Sequence, residues 1–409
     1  MQSRPVLAIL RPSARSRSAI GPIADWLTLL GLVLAPNGGL GFGGRLGIAY
    51  ADIVFGLAGA ARGLHLLVSG VPVAKLRRIS FLLALLVVFC GAGLISGLVN
   101  GTPLSGVFVF TAISFLGAVL LVATYGGDDH DENVRQLVTA FVIGCAILGA
   151  SSFYGPTAQD RSIGNAVHPN ALGHSCIMGV GGALWLFDRS KTLISQGIWA
   201  LAGLLAIGGI FQSGSRGGVL AIAALFTLYL ALRGSLRAVL VGVFAGWLFV
   251  LVLASGAVNL AAGNPIARLV EGNPTTYGSD DARRELISEN LRDIGEDPLF
   301  GKGFGVITDI HVVYFQGWVG GGAIDAFVLM LLGLTMLVMP FWQRPKDLGL
   351  ACAAAGIAVA WLFTNILTAR DQWFFIGLVF SVSPSPLVLG RHIPAVTRRG
   401  GARTLGSGS

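Results

Sequence analysis

Three stretches of this 409-residue chain combine arginine, histidine, serine and asparagine in ways that could handle an anion and move a proton. In Gln212-Ser-Gly-Ser-Arg216-Gly-Gly, small residues let a backbone approach closely, and Ser215 and Arg216 add donors. Placed where a helix starts, its free N–H groups would point at an anion. The plainer reading is a Gly-Ser turn with an arginine at a membrane interface. In Arg161-Ser-Ile-Gly-Asn-Ala-Val-His168-Pro-Asn170, Pro169 ends a loop and Asn170 can cap the helix that follows. His168 then sits at the interface and His174 about one turn inside, where a lone histidine is more often a satisfied structural group. Arg161 facing Arg216 would be costly unless an anion lay between them. The third stretch carries Arg283, Arg284, His311 and Tyr314. An imidazole titrates near pH 6.5, so His311 can take a proton from a hydroxyl, and neighbouring arginines disfavour its charged form. The alternative for His311 is a core histidine in a re-entrant turn.

The elements that must position these residues are membrane helices. Only 12% of residues are charged against 54% hydrophobic, with a mean hydropathy of +0.76. That charge cannot cover a globule of this size, so lipid is the solvent for most of the surface. The 59 glycines fit close helix packing rather than disorder in so apolar a chain. Twelve apolar runs can be counted, at 20–35, 46–68, 79–99, 104–125, 134–155, 170–187, 193–211, 217–232, 236–259, 322–341, 349–368 and 372–390. The expected fold is therefore an all-α polytopic membrane protein with about twelve transmembrane helices. It divides into a basic cytoplasmic N-terminus (1–19), a nine-helix region (20–259), one large extracytoplasmic loop with short helices (260–321), a three-helix region (322–390) and a cytoplasmic tail (391–409). The closing Gly-Ser-Gly-Ser409 reads as an expression remnant.

Loop charge orients this arrangement. With both termini cytoplasmic, about two-thirds of Lys and Arg fall inside, as the positive-inside tendency requires. The basic residues left outside are nearly all arginine: Arg45, Arg161, Arg216, Arg268, Arg283, Arg284, Arg292 and Arg370, with Lys302. A planar bidentate donor suits phosphate oxygens better than an ammonium does. Within the large loop, Ser279 or Asp280 can cap a helix over 280–294 whose Ile287, Leu291 and Ile294 form one apolar stripe against the membrane. Gly295 and Pro298 stop it.

Several classes are disfavoured. The net charge of +8 is spread between apolar runs rather than gathered on one face, which argues against nucleic acid. Cys90, Cys145, Cys176 and Cys352 all lie in apolar runs without a CxxC pair, so neither a disulfide framework nor a zinc site is indicated. No acidic cluster marks a divalent-metal site on the outer face, and no cofactor is expected. Asp52 is buried within the second run, with Arg62 or Arg45 as candidate partners. No repeat relates the two halves, which weighs against a secondary transporter.

Taken in order, these motifs resemble the O-antigen ligase and polymerase family of bacterial inner-membrane glycosyltransferases. The resemblance rests on Arg161 to Asn170, Ser213-Gly-Ser-Arg216-Gly, Arg283 through Pro298 to Gly-Lys-Gly-Phe-Gly305, and His311-Val-Val-Tyr314 followed by Gly320-Gly-Gly322; it covers roughly 150–340. Asp52 also looks like a family feature. The resemblance implies transfer of a glycan from undecaprenyl diphosphate to an acceptor hydroxyl on the extracytoplasmic side of the cell membrane, without metal or nucleotide sugar. The acceptor would be a glycan, a lipid or another membrane-associated molecule. His311 matches the family's general base, Arg216 and Arg283 its diphosphate-binding arginines, and Arg161 joins them. His168, Asn170, Ser215, Arg284 and Tyr314 are further candidates for substrate contact. Where the family has His-Asn, this chain has His311-Val312. Ligase and polymerase share these motifs and differ in acceptor; a flippase or exporter of lipid-linked glycans is the reading from another class.

Overall fold

The computed structural model describes residues 19–41, 48–102, 105–158, 161–234, 274–304, 312–364, 367 and 369–382. Of these, 79% are helical. In chain order the helices are α1 (Ile20–Leu34), α2 (Tyr50–Ser69), α3 (Val73–Arg78), α4 (Ser80–Val99), α5 (Gly106–Thr124), α6 (His130–Ser151), α7 (Pro169–Arg189), α8 (Leu193–Gln212), α9 (Arg216–Leu232), α10 (Pro274–Glu296), α11 (Val313–Val338), α12 (Leu348–Ala360) and α13 (Arg370–Val382). A two-residue antiparallel pair, β1 (Thr157–Ala158) and β2 (Arg161–Ser162), precedes α7. Among the described residues, five helical stretches are long and apolar enough, by length and composition, to cross a bilayer: α2, α4, α6, α8 and Val313–Trp342, the last interrupted at Gly322. The chain is thus an all-α protein built for a lipid environment. The apolar run expected at 236–259 and both terminal segments, 1–18 and 383–409, lie outside the described residues.

Helix α7 is the centre of the bundle. It packs on α6, α8, α9 and α12, and most of its side chains are buried. Small residues allow this crowding: a Cβ on Gly181 would fall 2.2 Å from the Cβ of Ala353 on α12. α12 has nearly every residue buried, so it needs no lipid-facing length. Of the runs at 349–368 and 372–390, expected as full spans, the first holds a 13-residue helix of about 20 Å, and the described part of the second is α13, with 383–390 outside the described residues. Polar residues set the interruption between them. The indole of Trp361 donates to Gln372 Oε1 at 2.8 Å and that of Trp373 to the Leu367 carbonyl at 2.8 Å. Both turn-forming groups are satisfied inside the protein, as the bilayer demands.

α11 is not one straight span. Gly322 has φ +80° and breaks it into limbs 313–321 and 323–338. A Cβ on Gly333 would lie 2.3 Å from Tyr314 Oη, and one on Gly317 would lie 2.4 Å from Leu329 Cδ1. In a straight helix the first pair would be about 28 Å apart, so the limbs fold back as a helical hairpin.

Contacts between termini define two ends. At one, α2, α7, α9 and α13 begin: Arg370 pairs with Asp52, and Ser175 of α7 donates to Asp371 at 2.5 Å. At the other lie Arg62 with Asp25, Arg189 with Asp347 (2.5 Å) and Arg233 with Asp188 (2.7 Å). Asp52 therefore pairs with Arg370 and not with Arg62, as nearness in sequence suggested, while Arg45, the other candidate, lies outside the described residues. Arg62 faces Asp25 because α1 runs antiparallel alongside α2.

Candidate functional site

The N-terminus of α7 is built by His168, not by Asn170. The exposed His168 adopts extended backbone and its Nδ1 accepts from the Asn170 N–H at 3.1 Å, while Pro169 fills the first helical position. That leaves the Asn170 side chain available for another task. Its Oδ1 accepts from Arg161 Nη2 at 2.8 Å, and Arg161 Nε donates to the Ser213 carbonyl at 2.7 Å. Arg161 is only 6% exposed. β2 thus delivers a buried guanidinium between the start of α7 and the α8–α9 connection.

That connection is a tight turn. Gly214 takes φ +60°, Ser213 Oγ donates to the Ile210 carbonyl (2.6 Å) and accepts from the Ser215 N–H (3.2 Å). Ser215 caps α9, its Oγ accepting from the Gly218 N–H at 3.2 Å, and Arg216 is the first helical residue, half-buried. The two helix starts touch: a Cβ on Gly173 would lie 3.1 Å from Ser213 Oγ and from Ser215 Cβ. Arg161, His168, Asn170, Ser215 and Arg216 are therefore gathered at one end of the bundle, where helix dipoles present their positive ends. His174 lies one turn deeper, buried, with Nδ1 2.5 Å from the Asn170 carbonyl.

The loop contributes differently. α10 spans Pro274–Glu296 and so already includes Ser279 and Asp280, the caps expected from the sequence. Arg283 is half-buried, whereas Arg284 is exposed and 3.7 Å from Asp281 one turn back. Of the apolar stripe only Ile294 packs, against Phe315, Trp318 and Val319; Ile287 and Leu291 remain exposed. The turn after α10 is what fixes the loop to the bundle. The Pro298 carbonyl accepts from Trp318 Nε1 and from the Ala323 N–H, both at 3.0 Å, and Lys302 N–H donates to Val319 at 2.7 Å. From α4's end, Asn100 Nδ2 reaches the Gly301 carbonyl at 2.9 Å. A Cβ on Gly322 would sit 2.0 Å from the Leu299 carbonyl, so glycine is needed there for both φ and space.

Tyr314 stands in the first turn of α11. It is half-buried between helices, its hydroxyl donating to the Ala358 carbonyl at 3.3 Å and its ring edge-on to Trp361. His311 lies outside the described residues. Sequence reasoning counted Arg370 among the outward arginines but passed over its neighbour Asp371, although two charges together within otherwise apolar sequence were the available signal. Asp325 was missed as well. It is fully buried in the second limb of α11, and neither carboxyl oxygen has a hydrogen-bond partner.

Among the described residues no group of three or more His, Cys, Asp and Glu is placed to hold a metal ion. What the described arrangement offers is anion binding: a braced guanidinium beside capped helix starts. No protein-family model and no curated protein sequence matches the chain.

Proposed function

We propose that the protein is a membrane glycosyltransferase that moves a glycan from undecaprenyl diphosphate to an acceptor hydroxyl at the end of the bundle where α7 and α9 begin. The observation that carries this reading is the buried Arg161, held by Asn170 and Ser213 beside the helix that Arg216 opens. In the proposed reaction His311 removes the acceptor proton, and the acceptor oxygen attacks the anomeric carbon with inversion. The bond to the diphosphate oxygen breaks, and the leaving diphosphate departs with its charge met by Arg216, Arg283 and Arg161. A lipid-linked donor also accounts for a polar site built on membrane helices.

The test is transfer in membranes supplied with lipid-linked glycan. His311→Ala is expected to abolish transfer while the protein still folds, and Arg216→Lys to impair it severely, because a point charge does not replace a bidentate fork. Undiminished transfer by His311→Ala would remove the base assignment, and wild-type rates for Arg216→Lys would leave that residue merely interfacial. Sizing the glycans after gene deletion separates the acceptors. Carrier-linked polymer that is never attached marks a ligase, single attached repeats mark a polymerase, and repeats trapped inside mark a flippase.

A further inference from the structure

Asp325 lies three residues past the break at Gly322, fully buried, with no hydrogen-bond partner for either carboxyl oxygen. It faces the first limb of α11 and α4. A Cβ on Gly321 would overlap Asp325 Oδ2, so the carboxyl rests directly against the glycine backbone of the first limb. From α4, Ser96 Oγ donates to the neighbouring Gly320 carbonyl at 2.8 Å and Cys90 lies within electrostatic reach of the acid. No counter-charge answers Asp325. No charged side chain of α10 or of the turn that follows it acts on this carboxyl, and neither does Cys352 of α12 or Tyr314 of the first limb.

Electrostatics select what such a group binds. The start of the second limb favours a negative charge by at most about 30-fold. Leaving a buried charge uncompensated disfavours it by at least about 150-fold, so the bare carboxylate loses. A metal cation would need several further oxygen ligands, and room between the carboxyl and the backbone it already touches. A proton needs neither. We infer that Asp325 is a proton-binding site inside the bundle, filled while the two limbs of α11 are closed and emptied when the second limb swings from the first at Gly322. The packing lets that limb move alone. The turn after α10 is held by the first limb and α4, through Val319, Trp318 and Asn100, whereas the second limb reaches it through the Ala323 N–H on the Pro298 carbonyl. Water entering the gap would solvate the carboxylate and also Gln316 Oε1, a buried first-limb oxygen without a partner. The closed form holds one proton more than the open one, so rising pH favours opening, by up to about tenfold per pH unit.

The full-length protein is compared with Asp325→Asn, a neutral side chain of the same shape, and with Asp325→Thr should the amide variant fail to fold. Infrared spectra at neutral pH are taken in a maltoside detergent, which carries no carbonyl. The variant should lose a carboxylic-acid C=O band and keep every carboxylate band; loss of a carboxylate band instead overturns the proton site. In nanodiscs, amide exchange over 323–330, corrected for its intrinsic pH dependence, should climb by up to about tenfold per pH unit in the wild type and stay flat in the variants. A wild type that is flat, or variants that climb equally, would overturn the link between the proton and the hairpin. Replacing sodium by choline at fixed pH should leave exchange unchanged, and protection that requires sodium would put a cation in the proton's place and overturn the assignment. Neither measurement uses a glycan donor, so the proton site and the transferase reading stand or fall separately.

Discussion

At one end of the bundle Arg62, Arg189 and Arg233 each meet an aspartate whose side chain is at most 7% exposed; at the other, Arg370 also meets an aspartate, Asp52, but Arg161 donates to a backbone carbonyl and to an amide oxygen. A carboxylate both orients a guanidinium and cancels its charge. A neutral acceptor orients the fork without cancelling it. The first arrangement ties α1 to α2, α7 to the segment before α12, and α9 to α7. The second braces a guanidinium beside helix starts whose dipoles have the same sign. On the proposed reading the first set serves the fold and the second serves a diphosphate.

Removing one partner at each end tests that division. Asp25→Ala strips the carboxylate from a buried Arg62 and also the acceptor of the Gly126 N–H, 3.0 Å away. An uncompensated buried charge is expected to cost about 3–5 kcal/mol, the largest effect anticipated, read by denaturant unfolding in detergent. Arg161→Leu removes a charge and leaves the Asn170 and Ser213 oxygens unsatisfied, which is expected to cost about 1–3 kcal/mol. Transfer, however, should fall far more in Arg161→Leu than in Asp25→Ala assayed at temperatures where both are folded. The opposite ranking would dissolve the distinction between the two ends.

How far the sequence showed this depended on the kind of information needed. Runs at 79–99, 134–155 and 193–211 coincide with Ser80–Val99, His130–Ser151 and Leu193–Gln212, because an uninterrupted apolar stretch has few alternatives to a helix in lipid. Direction is not written in hydropathy, so the hairpin at Gly322 was invisible even though three consecutive glycines marked the place. Local motifs placed Ser215 and Arg216 at a helix start, since a cap is a property of neighbours in sequence. The cap of α7 falls on His168 and not on Asn170, a placement the sequence hides because histidine is a less familiar cap than asparagine. The Asp52–Arg370 pair joins helices remote in the chain, and only packing could reveal it.

The loop gives the mildest way to sharpen the comparison, because its charges are paired in water rather than in the bundle. Lys302 Nζ reaches Asp297 at 2.8 Å and Glu296 at 2.7 Å, clipping the turn that docks on the α11 break. The bond from Lys302 holds the Glu296 carboxyl below its ordinary value, and the bonds to Asp297 and Glu296 raise Lys302 above its own. A lowered carboxyl contributes stability above its unfolded value and loses it as pH falls through the folded one. A raised ammonium contributes below its unfolded value and loses it only as pH rises through the folded one. The clip is therefore intact across neutral pH and opens in acid. Corrected amide exchange over 297–303 should stay flat through the neutral range and rise only below the ordinary carboxylate range, while Lys302→Met should show raised exchange already at neutral pH. The backbone bonds to Val319 and Pro298 do not titrate, so the change should be small and leave α11 protected. A large acid-induced loss extending into α11 would mean that the ion pair, not the glycine-fitted backbone contact, holds the loop.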